Sequence, residues 1–168
     1  MLRWILWIAL ALLALALAAV LAGQFGLLKG TPPTDLGVQE GKLKAPSTTP
    51  NSVSSQATLW PGNPRSKEAQ IAPLALKNAD GAATMRALVE VVRSAPGAVL
   101  VKEQPGYLYA QFRTPLMKYV DDVEFWLDPS AQVIQVRSAS RLGESDLGAN
   151  RNRIEAVRAH LSKRLATP

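Results

Sequence analysis

The stretch that most constrains the fold is residues 119–151, YVDDVEFWLDPSAQVIQVRSASRLGESDLGANR. Two runs rich in β-branched and aromatic residues flank the four-residue connection Pro129-Ser130-Ala131-Gln132, which predicts an antiparallel hairpin. Side chains alternate between the two faces of a strand, so each apolar position fixes its neighbours. If Phe125 and Val136 both face the core, Glu124 lies opposite Arg137, Trp126 opposite Gln135 and Asp121 opposite Ser140. Glu124 and Arg137 then form an outer-face ion pair, expected to be exposed and worth ~0.2–1 kcal/mol. Asp121 falls on the apolar face, where a carboxylate is costly unless something pairs with it. Arg141, the backbone amides of residues 143–148, and Asn150 or Arg151 at the next helix start are within sequence reach. The candidate polar cluster is therefore Asp121, Ser138, Ser140, Arg141, Asp146, Asn150 and Arg151. It reads either as a closed network stapling the last helix to the sheet or as an open site in which Asp121 orients an arginine toward a ligand.

The second constraint is residues 4–22, a run of Leu, Ala, Ile, Val and Trp without a charge. As a helix it spans ~28 Å, close to a hydrocarbon core of ~30 Å. Arg3 precedes it, and Trp4 and Trp7 suit the membrane interface. A cleaved signal peptide is the competing reading, but the run exceeds the usual h-region of roughly 7–15 residues. A retained single-pass anchor is expected, contacting membrane lipid through residues 4–22. Arg3 favours a cytoplasmic N-terminus while Lys29, Lys42 and Lys44 pull the other way; the domain is expected on the extracytoplasmic side.

The chain divides into an anchor at 1–28, a Gly/Pro-rich tether at 29–49 and one domain at 50–168. Pro50-Asn51-Ser52-Val53-Ser54-Ser55 has turn chemistry. Ser52 could be a nucleophile only with a positioned base; a hydroxyl bonding its own backbone is the plainer reading. Trp60-Pro61-Gly62-Asn63-Pro64 excludes regular structure, and Ile71, Leu74 and Leu76 pin that segment to the core. A helix is predicted over 82–95, with Asp80 as its cap, Pro96-Gly97 as its stop, and Met85, Leu88, Val89 and Val92 on one face. Four strands follow at 98–103, 107–113, 118–127 and 133–140, joined as an antiparallel meander. Leu108, Ala110 and Phe112 should face the helices, with Tyr119, Asp121, Val123 and Phe125, and with Ile134, Val136, Ser138 and Ser140. A second-strand register with Phe112 opposite Tyr119 would set Asp121 opposite Ala110. The closing helix, 148–165, buries Ile154, Val157, Leu161 and Leu165, with Asn150 at the end of that face. Arg151 and Arg158 flank it, and Arg153, His160, Lys163 and Arg164 are expected to point outward. The fold class is α+β: a transmembrane helix, then a four-stranded antiparallel sheet with two helices packed on one face.

Several chemistries are excluded or disfavoured. There is no cysteine, so disulfides and thiolate chemistry are absent. No glycine-rich phosphate loop, paired helical histidines or GxSxG elbow occurs. A metal site would rest on Asp121, Asp122 and Glu124, but adjacent strand residues point to opposite faces, so neither metal nor cofactor is expected. Nineteen Lys and Arg against 13 Asp and Glu give a net charge of +6, richest in the last helix and the loop before it. Anionic headgroups or a solvated face explain that excess. A membrane anchor and the lack of aromatic–basic interleaving argue against nucleic acid.

VDDVEF (120–125) followed by VRSASRLGESDLGANR (136–151) resembles the core signature of the domain-of-unknown-function 1499 family. PNSVSSQA (50–57) and IAPL (71–74) fit its N-terminal part. The resemblance runs from about residue 45 to the C-terminus. The family commonly carries cysteine where Ser52 stands here, which argues against an obligatory thiol role. The resemblance implies one compact domain and brings no established activity; catalytic residues are unassigned. Three functions follow. The first is a membrane-tethered, non-catalytic domain binding a protein partner or a small anionic ligand through the Asp/Arg/Asn cluster. The second is a hydrolase-like enzyme using Asp121 with nearby arginines and serines. The third is a structural or assembly role at the cell envelope.

Overall fold

The computed structural model describes residues 2–166, so the first residue of the expected anchor and the last two of the expected domain lie outside it. Helix α1, Leu2–Gln24, is apolar on every side and makes no core of its own; only Gly23, in its last turn, is buried. At 23 residues it is long and apolar enough to cross a membrane, about 34 Å at 1.5 Å per residue.

The domain is built on six antiparallel strands rather than four. The predicted meander is present as β3 (Ala98–Gln104), β4 (Tyr107–Arg113), β5 (Val120–Asp128) and β6 (Val133–Ser140). Two short strands, β1 (Ser52–Ser54) and β2 (Leu74–Ala75), pair with the free edge of β6 toward opposite ends of it. The sheet order is β1-β6-β5-β4-β3 with β2 beside β1 on that edge. The added strands occupy segments read as a hydroxyl-rich turn and a core-pinning loop. Their length is the reason: two or three residues carry too little alternation to register as strands. A one-turn helix α2 (Ser66–Ala69) and a 3₁₀ turn at Ala57–Leu59 also lie in this segment, while residues 60–64 are turns, as the prolines required.

Helix α3 (Gly81–Arg93) is capped by Asp80, whose carboxylate accepts from the Ala83 amide at 2.8 Å. It ends before Pro96-Gly97. Gly97 has φ +76°, and a Cβ there would strike the Arg113 carbonyl, so the turn into β3 needs glycine. Helix α4 (Ala149–Ala166) closes the chain. Both helices lie on one face of the sheet. Leu88 and Val92 of α3 and Ile154 and Leu161 of α4 join Leu108, Val123, Phe125 and Val136 in a single buried cluster.

The β5–β6 register is the predicted one: Phe125 faces Val136, Glu124 faces Arg137 and Asp121 faces Ser140. The β4–β5 register is shifted by two residues from expectation, with Phe112 opposite Asp121 rather than Tyr119. The connecting loop explains it. The Thr114 amide donates to the Tyr119 carbonyl at 3.0 Å and the Tyr119 amide to Thr114 Oγ1 at 3.0 Å, closing the hairpin one pair beyond Arg113 and Val120. Tyr119 consequently precedes the strand and is exposed, not turned to the core.

The outer face of the sheet is covered. Residues 35–46 of the expected tether lie across it. Leu43 is buried, its amide bound to Gln56 Oε1 at 2.8 Å, and Gln56 Nε2 reaches back to the Gly41 carbonyl at 3.0 Å. We call these residues the strap.

Candidate functional site: a basic cleft backed by the Asp121 network

Asp121 lies on the helix face of β5, as the alternation required, and is almost fully buried. Its partner is Arg153 of α4, which donates through Nη2 to Asp121 Oδ2. The same guanidinium donates through Nη1 to Asn150 Oδ1 at 2.8 Å and Ser138 Oγ at 3.1 Å. Its plane lies over the Phe112 ring, 4.9 Å from the centroid. The two-residue register shift makes this possible, because it brings Phe112 beside Asp121. A carboxylate, an aromatic face and two polar oxygens thus hold one arginine in one orientation.

Asn150, fully buried, is the centre of the network behind it. Its Oδ1 also accepts from Ser138 Oγ at 2.5 Å. Its Nδ2 lies within bonding distance of the Asn51 carbonyl, Ser140 Oγ and Asp146 Oδ2, at 2.7–2.9 Å. Asp146 accepts the Gly148 and Asn150 amides at 2.9 and 2.8 Å, which makes it the N-terminal cap of α4.

Two of the seven predicted residues stand elsewhere. Arg141 is on the outer face, paired with Asp122 through Nε at 2.8 Å and Nη2 at 2.7 Å. Arg151 donates to the Glu68 and Gln70 carbonyls at 2.8 and 2.9 Å, clasping the segment between α2 and β2. Neither touches Asp121. Arg153, expected to point outward, is the residue that does. A helix projection separates a core face from the rest, and Arg153 sits at their border, where only the register of α4 on the sheet decides. Ser52 lies on β1 with its hydroxyl accepting from the Ser47 amide at 2.8 Å, the plain backbone-bonding role.

On its other side Arg153 borders a cleft of about 1380 Å³. Its walls are the end of α3, the start of β3, the end of β4 with the following loop, and α4. The buried side chains of Val91, Phe112 and Val157 form an apolar floor, and Val99 and Pro115 are exposed at the edge. The basic side chains are Arg113, Lys118, Arg153, His160, Lys163 and Arg164, and no Asp or Glu is among the lining residues. Arg113, Lys118 and Arg164 do not take part in the ion pairs formed among the described residues. The sequence held a partial signal: α4 carries Arg151, Arg153, Arg158, His160, Lys163 and Arg164 against the single acid Glu155. What it lacked was the partner wall. Arg158 is not part of the cleft; it bonds the Pro73 and Ala72 carbonyls, both at 2.6 Å.

The expectation of an exposed Glu124–Arg137 pair is overturned. Both side chains are buried, with Arg137 Nη1 3.6 Å from Glu124 Oε2. The strap is the cause: the Gly37 amide donates to Glu124 Oε1 at 2.7 Å and Arg137 Nε donates to the Ala45 carbonyl at 3.2 Å. Tyr107 also donates to Glu124 Oε1, at 2.8 Å. Burial raises the Glu124 carboxyl above the ordinary range and outweighs the opposing pull of Arg137 and these donors. Burial likewise lowers Arg137, against the attraction of Glu124. Each shift is that of a charge whose desolvation is incompletely compensated, in keeping with Glu124 Oε2, which has no hydrogen-bond donor. Burial, then the neighbouring Glu124 carboxylate, drives the Tyr107 phenol upward. Arg141 is raised by its hydrogen bonds to Asp122. Among the described residues no three acidic, His or Cys side chains converge as a metal site would require.

No curated protein and no solved structure matches this chain. A family model does, over residues 42–161, from the strap through the sheet to the last turns of α4. That span holds the hairpin, the Asp121 network and most of the cleft, and the expected resemblance is met: the chain belongs to the protein family of unknown function DUF1499.

Proposed function

We propose that this chain is a membrane-tethered, non-catalytic binding domain that takes a small anionic ligand in the cleft between α3, α4 and the loop after β4. The observation that carries the reading is the charge of the lining: basic side chains of one sign above an apolar floor, with no carboxylate among them. Such a site offers binding energy to an anion with an apolar body and orients it through a few polar contacts. Arg153 is the fixed contact. Asp121, Asn150 and Ser138 hold its guanidinium, which saves the ligand the cost of ordering it. The polar cluster inferred from the sequence thus acts from behind the site. The hydrolase alternative draws no comparable support, because Asp121 is buried and already bound to Arg153.

The test uses the full chain in an uncharged detergent, titrated with hexyl phosphate and followed by thermal unfolding. Ligand binding to the folded state raises Tm by mass action. A rise that is lost in Lys118→Gln and Arg164→Gln supports the reading; no rise, or the same rise in both variants, overturns it. We further propose that α1 is retained as a single-pass anchor with the domain on the extracytoplasmic side. A C-terminal reporter active only outside the cytoplasm should be active; fluorescence from a cytoplasm-dependent reporter would reverse the orientation.

A further inference from the structure

We infer that the cleft's ligand is an anionic lipid drawn from the bilayer that holds α1, with its phosphate among the basic side chains and acyl chain on the apolar floor. This rests on the binding reading above and adds the ligand's source.

Three observations lead there. The first is the position of one wall of the cleft. The loop after β4 is its wall, through Thr114, Pro115 and Lys118, and the same loop is packed on the end of α1. Gln24 Nε2 donates to the Leu116 carbonyl at 2.9 Å, and Gly23 lies so close to the Met117 backbone that a Cβ would collide with it. Lys118 is one residue on, about 3.8 Å along the chain. The apolar run of α1 ends at Ala22, so Gln24 stands at headgroup level and the cleft wall stands with it. A soluble anion would gain nothing from this placement; a lipid reaches the site without crossing water.

The second observation is the surface beside the cleft. Phe25, Leu27 and Leu116 are 81, 74 and 60 % exposed, all at the same end of the molecule. Exposed apolar side chains beside the end of a membrane span belong in the interface, and they would seat the cleft's wall against the lipid. The third is size. About 1380 Å³ exceeds the ~300–1,000 Å³ of pockets that hold small molecules. A phosphate and its counter-charges would leave the apolar floor bare; an acyl chain covers it.

The experiment places the full chain in bilayer discs of phosphatidylcholine containing a small fraction of phosphatidic acid with a photoreactive acyl chain. After irradiation the labelled peptides are mapped by mass spectrometry. The expected label falls on α1, as for any lipid neighbour, and also on the peptides containing Val91, Phe112 and Val157. Unlabelled phosphatidylglycerol should compete for the cleft label, and extra phosphatidylcholine should not. Lys118→Gln and Arg164→Gln should each lower it roughly tenfold, the effect of losing one charge-assisted contact, while the label on α1 stays constant and shows that the chain is folded and inserted. Label confined to α1 while hexyl phosphate still raises Tm overturns the lipid inference and leaves the binding reading standing. Complete competition by inorganic phosphate does the same and points to a soluble anion. Label confined to α1 with no effect of hexyl phosphate overturns both.

Discussion

At the scale of the residue, the determining contact is one carboxylate with one arginine. Asp121 is nearly sealed from water, whereas the Arg153 side chain keeps 14 % of its surface open toward the cleft. Breaking a buried pair usually costs about 3–5 kcal/mol because the survivor is left charged and dry. Arg153 can turn into the cleft, so Asp121→Ala should cost about 3 kcal/mol, the lower end of that range. Asp121→Asn keeps an acceptor for the guanidinium and should cost less. Chemical denaturation of the three full chains in the same detergent measures this, and equal stability of Asp121→Ala and wild type would refute it. The position of Asp121 was legible in the sequence, because Val123 and Phe125 fix which residues of β5 turn inward. Its partner was not. Arg141, Asn150 and Arg151 were nearer in sequence, but Arg141 falls beyond the strand on the other face and Arg151 turns toward the Glu68 and Gln70 carbonyls. Which arginine of a helix meets a strand depends on how the helix is docked, and docking is a tertiary fact.

At the scale of the element, the hairpin and the strap show two different limits of sequence reading. The β5–β6 pairing was legible because both strands carry large apolar residues at matching positions and the turn between them is short. The β4–β5 pairing was not, since a two-residue slide keeps every side chain on its own face and alternation cannot detect it. The strap was hidden for a different reason. It carries no apolar period, yet it buries Leu43 and Pro46 and bonds the sheet through backbone groups that no side-chain pattern records. A chain shortened to begin at Ala45 keeps all six strands and every helix after α1. It would lose Leu43 from its buried site and the Gly37 amide from Glu124. Together these should cost about 3–6 kcal/mol, the size of a buried leucine side chain plus one hydrogen bond to a charge. A chain beginning at Gly30 retains both, and calorimetry of the two should show the shorter melting lower. Equal melting temperatures would mean that the strap rests on the sheet without stabilising it.

At the scale of the whole molecule, the question is whether α1, as the proposed anchor, merely holds the domain near the membrane or sets how the domain meets it. A tether of twenty flexible residues would leave the domain free to turn. Here the end of α1 instead touches the loop after β4, and residues 25–30 run back along the domain until Gly30 lies against Arg141 and Leu142. Gly23 is the tightest point of that contact. It is buried at the end of an otherwise exposed helix, and the atoms it meets are backbone atoms of Met117, which cannot swing aside as a side chain would. Gly23→Val should therefore separate the helix end from the loop without harming either. Valine is readily accommodated in a membrane helix, so extraction with alkaline carbonate should leave the variant in the membrane pellet, as it should the wild type. The domain's core is remote from the substitution, so its global stability should stay within about 0.5 kcal/mol. Amide exchange is the measurement that changes. The Thr114 and Tyr119 amides are hydrogen-bonded within the loop on which the helix end packs, and their protection should fall in Gly23→Val while that of β5 and β6 does not. If the protection of this loop were unchanged, the contact between anchor and domain would not constrain the loop in the bilayer, and the domain's orientation would have to come from the exposed Phe25, Leu27 and Leu116 alone.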